Sequence, residues 1–246
     1  MEKIMIVMGT RPEAIKLCPL ILELKKRKRF EVLVCSTGQH RSMLDSVLRA
    51  FCIKPDFDLD VMRTGQTLSS VTARILKGLD EILCAERPDL VIVQGDTTTA
   101  FAGALAAFHR RIPIAHVEAG LRTYHINSPY PEEFHRQVIG LIATWHFAPT
   151  EAAQENLLRE GKKKKSIFIT GNTAVDALHF TLGNDFNRPS WNLPSDYRLV
   201  LFTAHRRESM GEQMKGMFCA LKRLVDEFPD VIAVCPLHHH PQVRSA

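Results

Sequence analysis

The 246-residue chain has no apolar run near the ~20 residues that cross a bilayer, and its N-terminal run Ile4 to Met8 is too short for the core of a signal peptide. That predicts a cytoplasmic protein without membrane attachment. Its cysteines, Cys18, Cys35, Cys52, Cys84, Cys219 and Cys235, stand singly inside apolar patterns with no C-x-x-C spacing. They read as reduced core residues, not as disulfides or metal ligands. No G-x-G-x-x-G follows the first predicted strand and no G-x-x-x-x-G-K-[ST] is present, which argues against a nicotinamide dinucleotide and against a P-loop hydrolase. His238, His239 and His240 are adjacent after a strand, so they point in different directions and lack the i, i+4 pairing of helical zinc ligands. No metal is expected.

What is present suits a sizeable globular core. Hydrophobic residues make up 45% of the chain, and 32 basic residues against 27 acidic ones give a formal charge of +5. Much of the excess sits in the runs Lys25 to Arg29 and Lys162 to Lys165. Such runs are ordinarily solvated helix ends or turns, and the first closes a helix, where cations offset the dipole. No nucleic-acid partner is expected.

Short β-branched runs alternate with amphipathic helical patterns. Ile4–Met8, Glu31–Cys35, Leu90–Gln94, Ile112–Val117, His146–Ala148 and Ile167–Thr170 read as strands of a parallel α/β sheet covered on both faces. Leu68, Val71, Ile75, Leu76, Leu79, Ile82 and Leu83 form one helical stripe after a Thr67 cap. Pro19 inside the first helical pattern predicts a kink. The pattern lapses into Gly, Asn, Pro and Ser over residues 181–197, a predicted linker between a first domain, 1–180, and the start of a second, 198–246. There Leu199–Thr203 and Val231–Cys235 are strands flanking the helix Gln213–Phe228, too little to complete a doubly wound sheet, so an incomplete second domain is expected.

In open parallel sheets, ligands sit beyond the carboxyl ends of the strands. The segment after the first strand is Gly9-Thr10-Arg11-Pro12-Glu13, with Lys16 one turn on. A helix N-terminus flanked by Arg11 and Lys16 suits phosphate or carboxylate. After Leu90–Gln94 comes Gly95-Asp96-Thr97-Thr98-Thr99, where Asp96 is either a helix cap or a crevice carboxylate. The next strand ends His116-Val117-Glu118-Ala119-Gly120-Leu121-Arg122, where Arg122 could pair Glu118 structurally. Glu132 opens a further helix and would complement its dipole. Thr203-Ala204-His205-Arg206 follows the first strand of the second unit and would face the same crevice. Each carboxylate alone has a plain structural explanation; together at strand ends, with a histidine and arginines, they point to a shared active site.

The segments GTRPEAIK, GQH, GDTTT, HVEAGLRT, SPYPEE, FAPTE, ITGNT and AHRRES, in this order, resemble the bacterial non-hydrolysing UDP-N-acetylglucosamine 2-epimerases along essentially the whole chain. The resemblance implies two Rossmann-like domains of GT-B type with UDP-sugar between them, usually a homodimer, and no cofactor. It implies interconversion of UDP-N-acetylglucosamine and UDP-N-acetylmannosamine, for surface polysaccharide synthesis, through elimination of UDP to 2-acetamidoglucal and its re-addition. Motif by motif it makes Asp96, Glu118, Glu132 and His205 catalytic, Arg11 and Lys16 substrate contacts, and Gln39, Gln66, Arg206 and His238 parts of a pocket for a second, activating UDP-N-acetylglucosamine. The chain departs from the family at His135, where Asn is usual, and at His238-His239-His240-Pro241, where His-Leu-Asn-Pro is usual. The family's Ser-Gly-Gly turn and T-E-R-P-E motif would fall beyond Ala246. Two other readings stand beside this one. One is an inactive remnant acting at most as an association module. The other is a GT-B glycosyltransferase, which would not need the GDTTT and EAGLRT carboxylates together.

Overall fold

The computed structural model describes residues 1–39, 41–63, 65–183, 196–203 and 211–236. The chain divides into two compact units, Met1–Phe186 and Asn187–Ala246.

The first unit holds seven strands: β1 (Glu2–Met8), β2 (Phe30–Ser36), β3 (Phe57–Asp58), β4 (Leu90–Gln94), β5 (Ile114–Val117), β6 (Trp145–Ala148) and β7 (Ile167–Ile169). Every adjacent pair is parallel, in the order β3-β2-β1-β4-β5-β6-β7. The helices are α1 (Arg11–Lys26), α2 (Arg41–Ala50), α3 (Leu68–Glu86), α4 (Thr98–His109), α5 (Glu132–Ile142), α6 (Glu151–Arg159) and α7 (Ala174–Gly183). Side chains alternate across β1: Ile4, Ile6 and Met8 join a core with Leu17, Ile21, Leu44 and Ala177, while Met5 and Val7 join a second with Ile75, Leu79, Ala104 and Ile139. The sheet is therefore dry on both faces, which is why its strands read as apolar runs and not as alternations.

The structure amends several expectations. The edge strand β3 went unread because its two residues carry no pattern. The run at Ile112 becomes strand at Ile114, after Pro113. In α3 the Thr67 cap is present and Val71, Ile75, Leu79 and Leu83 are buried, but Leu68 is exposed in the first turn. Helix α7 runs to Gly183, past the first residues of the stretch read as linker. All the cysteines are free; Cys18 and Cys35 are core residues, with burial pushing both thiols up to about 12, whereas Cys52, Cys84 and Cys219 are exposed.

In the second unit, β8 (Arg198–Leu201) and β9 (Val231–Val234) pair in parallel and are joined by α8 (Glu212–Glu227). Phe202 packs edge-on against Phe218 of α8 at 5.4 Å. Among the described residues no helix is long and apolar enough to cross a membrane.

Candidate active site

The strand order reverses between β1 and β4, the switch point at whose carboxyl strand ends open α/β sheets form their ligand crevice. The loops around it are pinned to one another. At the end of β1 a side chain on residue 9 would run into the Thr37 and Thr99 hydroxyls, which leaves glycine. Thr37 donates to Thr99 (2.8 Å), and Thr99 donates to the Gln39 side-chain oxygen (2.9 Å), tying the loops after β2 and β4 together. Glu13 is fully buried and accepts from the Gly9 and Thr10 backbone N–H groups (3.1 and 2.8 Å) and from the Thr97 hydroxyl (2.7 Å). Burial pushes its carboxyl above the usual range in spite of these donors. Thr97 in turn caps α4, accepting from Ala100 N–H. Asp96 is thereby freed from the capping role that its sequence position allowed.

Asp96 pairs instead with Arg136 of α5 at 2.6 Å. Burial raises the Asp96 carboxyl; Arg136 and Lys16 oppose the rise, and Glu118 and Glu132 reinforce it. Glu118, Glu132 and Lys16 are thus all within electrostatic reach of Asp96. Glu118 follows β5 directly with φ of 64°, a left-handed conformation uncommon for a residue with a side chain. Its carboxylate takes an ion pair from Lys16 and a hydrogen bond from Gln94 Nε2 (3.1 Å). Arg122, the expected partner, is elsewhere: its buried guanidinium makes a bidentate pair with Glu160 at 2.7 and 2.9 Å. The reason is direction, because the turn through Gly120 at φ of 89° sends Arg122 away from the crevice toward the end of α6. Arg11 is exposed at the start of α1, and Gln66 is held by Arg74 (2.6 Å) beyond the loop after β3. His205, Arg206 and His238 lie outside the described residues.

Against known proteins, the family described as UDP-N-acetylglucosamine 2-epimerase matches residues 22–246. The chain belongs to this family. A UDP-N-acetylglucosamine 2-epimerase of Bacillus subtilis is 54% identical over 99% of the chain, and the chain spans 64% of that relative's length. A crystal structure of a putative UDP-N-acetylglucosamine 2-epimerase from Listeria monocytogenes superposes with a TM-score of 0.92 at 52% identity, covering 99% of this chain and 64% of that one. A UDP-GlcNAc 2-epimerase from Neisseria meningitidis, solved bound to UDP-GlcNAc, gives 0.89 at 43% identity, covering 99% and 68% respectively.

In this epimerase-family chain, α5 supplies what reading the sequence missed. Arg136 and Glu133 lie one turn and one residue beyond Glu132, on the helix that supplies the Asp96 ion pair. Glu133 carries no sequence signal of its own beyond standing next to Glu132 in the first turn of α5. It is fully buried, and burial would raise it, but Gln137, the Thr123 and Tyr124 N–H groups and Arg136 outweigh that and leave it below the usual carboxylate range. His135 stacks on Phe101 (4.8 Å between ring centres) and its Nδ1 lies 2.8 Å from the Asp96 backbone oxygen, so Nδ1 carries the donated proton. An asparagine amide could make the same bond, which explains how histidine stands in for it. Among the described residues no group of His, Cys, Asp and Glu side chains could hold a metal ion.

Proposed function

We propose that this chain provides the catalytic first domain of a UDP-N-acetylglucosamine 2-epimerase that interconverts UDP-N-acetylglucosamine and UDP-N-acetylmannosamine. The observation carrying the reading is the convergence of Asp96, Glu118, Glu132 and Lys16 at the β1/β4 crevice of a member of that family. The C2 hydrogen has no adjacent carbonyl, so it is removed as the C1–O bond to UDP breaks, giving 2-acetamidoglucal. UDP oxygen then bonds C1 again while a proton returns to the other face of C2, so electrons and atoms balance. Such a course needs acid or base groups on both faces of C2 and negative charge beside a cation-like C1. Asp96, Glu118 and Glu132 are the residues of the first unit for it, and the family resemblance adds His205. Arg11 and Lys16 suit the sugar and phosphate, and a homodimer is the assembly we propose.

The test is turnover in heavy water by the chain completed with the remaining third of a relative such as that of Bacillus subtilis. One deuterium at C2 of the product is expected by NMR or mass spectrometry. Retention of the original hydrogen there would overturn the elimination course.

A further inference from the structure

We infer that Glu133 is a positioning residue that governs two of the crevice carboxylates at once, Asp96 through Arg136 and Glu118 through the backbone of the loop that carries it. The functional meaning rests on the reading of Asp96 and Glu118 as reacting groups; the linkage itself does not.

The two carboxylate oxygens of Glu133 divide the work. Oε2 accepts from Thr123 N–H (3.1 Å) and lies 3.6 Å from Arg136 Nε, while Oε1 accepts from Tyr124 N–H (3.0 Å) and from Gln137 Nε2 (2.8 Å). The loop so held, Glu118 to Tyr124, has left-handed backbone at Glu118 (64°), Gly120 (89°) and Tyr124 (59°), and a conformation of that kind persists when surrounding contacts over-determine it. Helix α6 holds the other side: Asn156 donates to the Gly120 carbonyl (3.0 Å), and Arg122 grips Glu160. Arg136 then hands the influence on. Its Nη2 pairs with Asp96 at 2.6 Å while Nε, on the same edge of the guanidinium, faces Glu133 at 3.6 Å, beyond hydrogen-bond distance, so the charge on Glu133 competes with Asp96 for the same cation. The charged groups around Asp96 are Arg136 and Glu132 from α5, Lys16 from α1 and Glu118 from the end of β5. Removing the charge at Glu133 leaves Arg136 wholly to Asp96, and the loss of a nearby negative charge acts in the same direction.

The experiment uses the whole 246-residue chain, with carboxyl carbons followed by NMR as pH is lowered and Asp96 assigned from Asp96→Asn. Glu133→Gln should lower the Asp96 midpoint by about 0.5 to 1 pH unit, the shift expected when one neighbouring charge is removed. Glu133→Asp keeps the charge but not the reach; it should leave the midpoint in place and speed amide exchange at Thr123 and Tyr124 at least tenfold. In the wild-type chain, Glu133 should titrate below ordinary glutamates, with a second inflection of the Asp96 signal at that pH. This last measurement serves if a variant fails to fold. An unmoved Asp96 midpoint in Glu133→Gln, or a single inflection with Glu133 titrating normally, would overturn the proposal and leave Glu133 a plain structural contact. In the completed enzyme, Glu133→Gln should shift the acidic limb of the kcat profile downward. A shifted Asp96 midpoint without that change would uphold the linkage and count against the epimerase reading.

Discussion

His116 and His146 occupy register-paired positions on β5 and β6, each about 1% exposed. His116 donates from Nε2 to the Gly95 carbonyl (2.7 Å), and each ring has a buried Nδ1 without a partner among the described residues. Burial pushes them down to about 3 and about 4, so the folded chain keeps both neutral where the unfolded chain protonates them near 6.5. The unfolded state then binds more protons below pH 6.5, and stability falls with pH by roughly 1.4 kcal/mol per pH unit for each histidine until the folded value is reached. Raised carboxyls at Glu13 and Asp96 act in the opposite sense from their ordinary values upward, so the histidine contribution is read as the part of the slope that a histidine substitution removes. Urea unfolding at several pH values should show this slope, and His146→Gln should remove about half of it. An unchanged slope would mean that His146 is solvated. The residues that carry charge at strand ends were readable because burying such groups beside apolar strands costs too much without a purpose. Their partners were not: which cation meets Glu118 depends on the direction of a turn that only Gly120 hints at.

At the level of elements, what could be read followed periodicity and what could not lacked it. The strands β1, β4 and β6 and the helix α3 announce themselves through long apolar patterns, whereas β3 has two residues and the true end of α7 lies within a Gly-rich stretch. The α3 stripe sharpens the point, since its pattern includes both Leu68 and Leu79 while the fold buries one of them. Leu79→Ala leaves a cavity in the core shared by α3 and its neighbours and should cost about 2 to 5 kcal/mol, whereas Leu68→Ala, on a side chain 44% exposed, should cost under about 0.5 kcal/mol. Denaturant midpoints of the two variants decide this. Equal losses would mean that the first turn of α3 packs against something in solution that leaves it covered.

For the molecule as a whole, the two units differ in how much core each owns. The first has apolar layers on both faces of its sheet. In the second, described core is slight: Met214 and Val231 are buried, while Leu199 and Leu201 are more than half exposed. A two-stranded sheet with one helix is marginal by itself. Amide exchange should therefore be fast in residues 198–203 and 211–236 and slow in β1, β4 and β5, with opening free energies for these segments of the second unit of about 0 to 2 kcal/mol. Uniform protection across both units would refute that inequality. Exposed Leu199 and Leu201 also predict concentration-dependent association at this sheet, which Leu201→Lys should weaken in sedimentation runs.

Glu118 sits at φ of 64°, where a side chain costs roughly 1 to 2 kcal/mol relative to glycine's indifference. Selection for folding alone would favour glycine or asparagine at that position, and each generation of neutral mutation supplies the opportunity. The Lys16 ion pair and the Gln94 hydrogen bond offset part of that cost, and the proposed epimerase role would supply the rest of the reason to keep a glutamate there. Position 118 is thus a clock of disuse: in descendants that have abandoned the chemistry it should be among the first crevice residues to drift, and it should drift toward glycine.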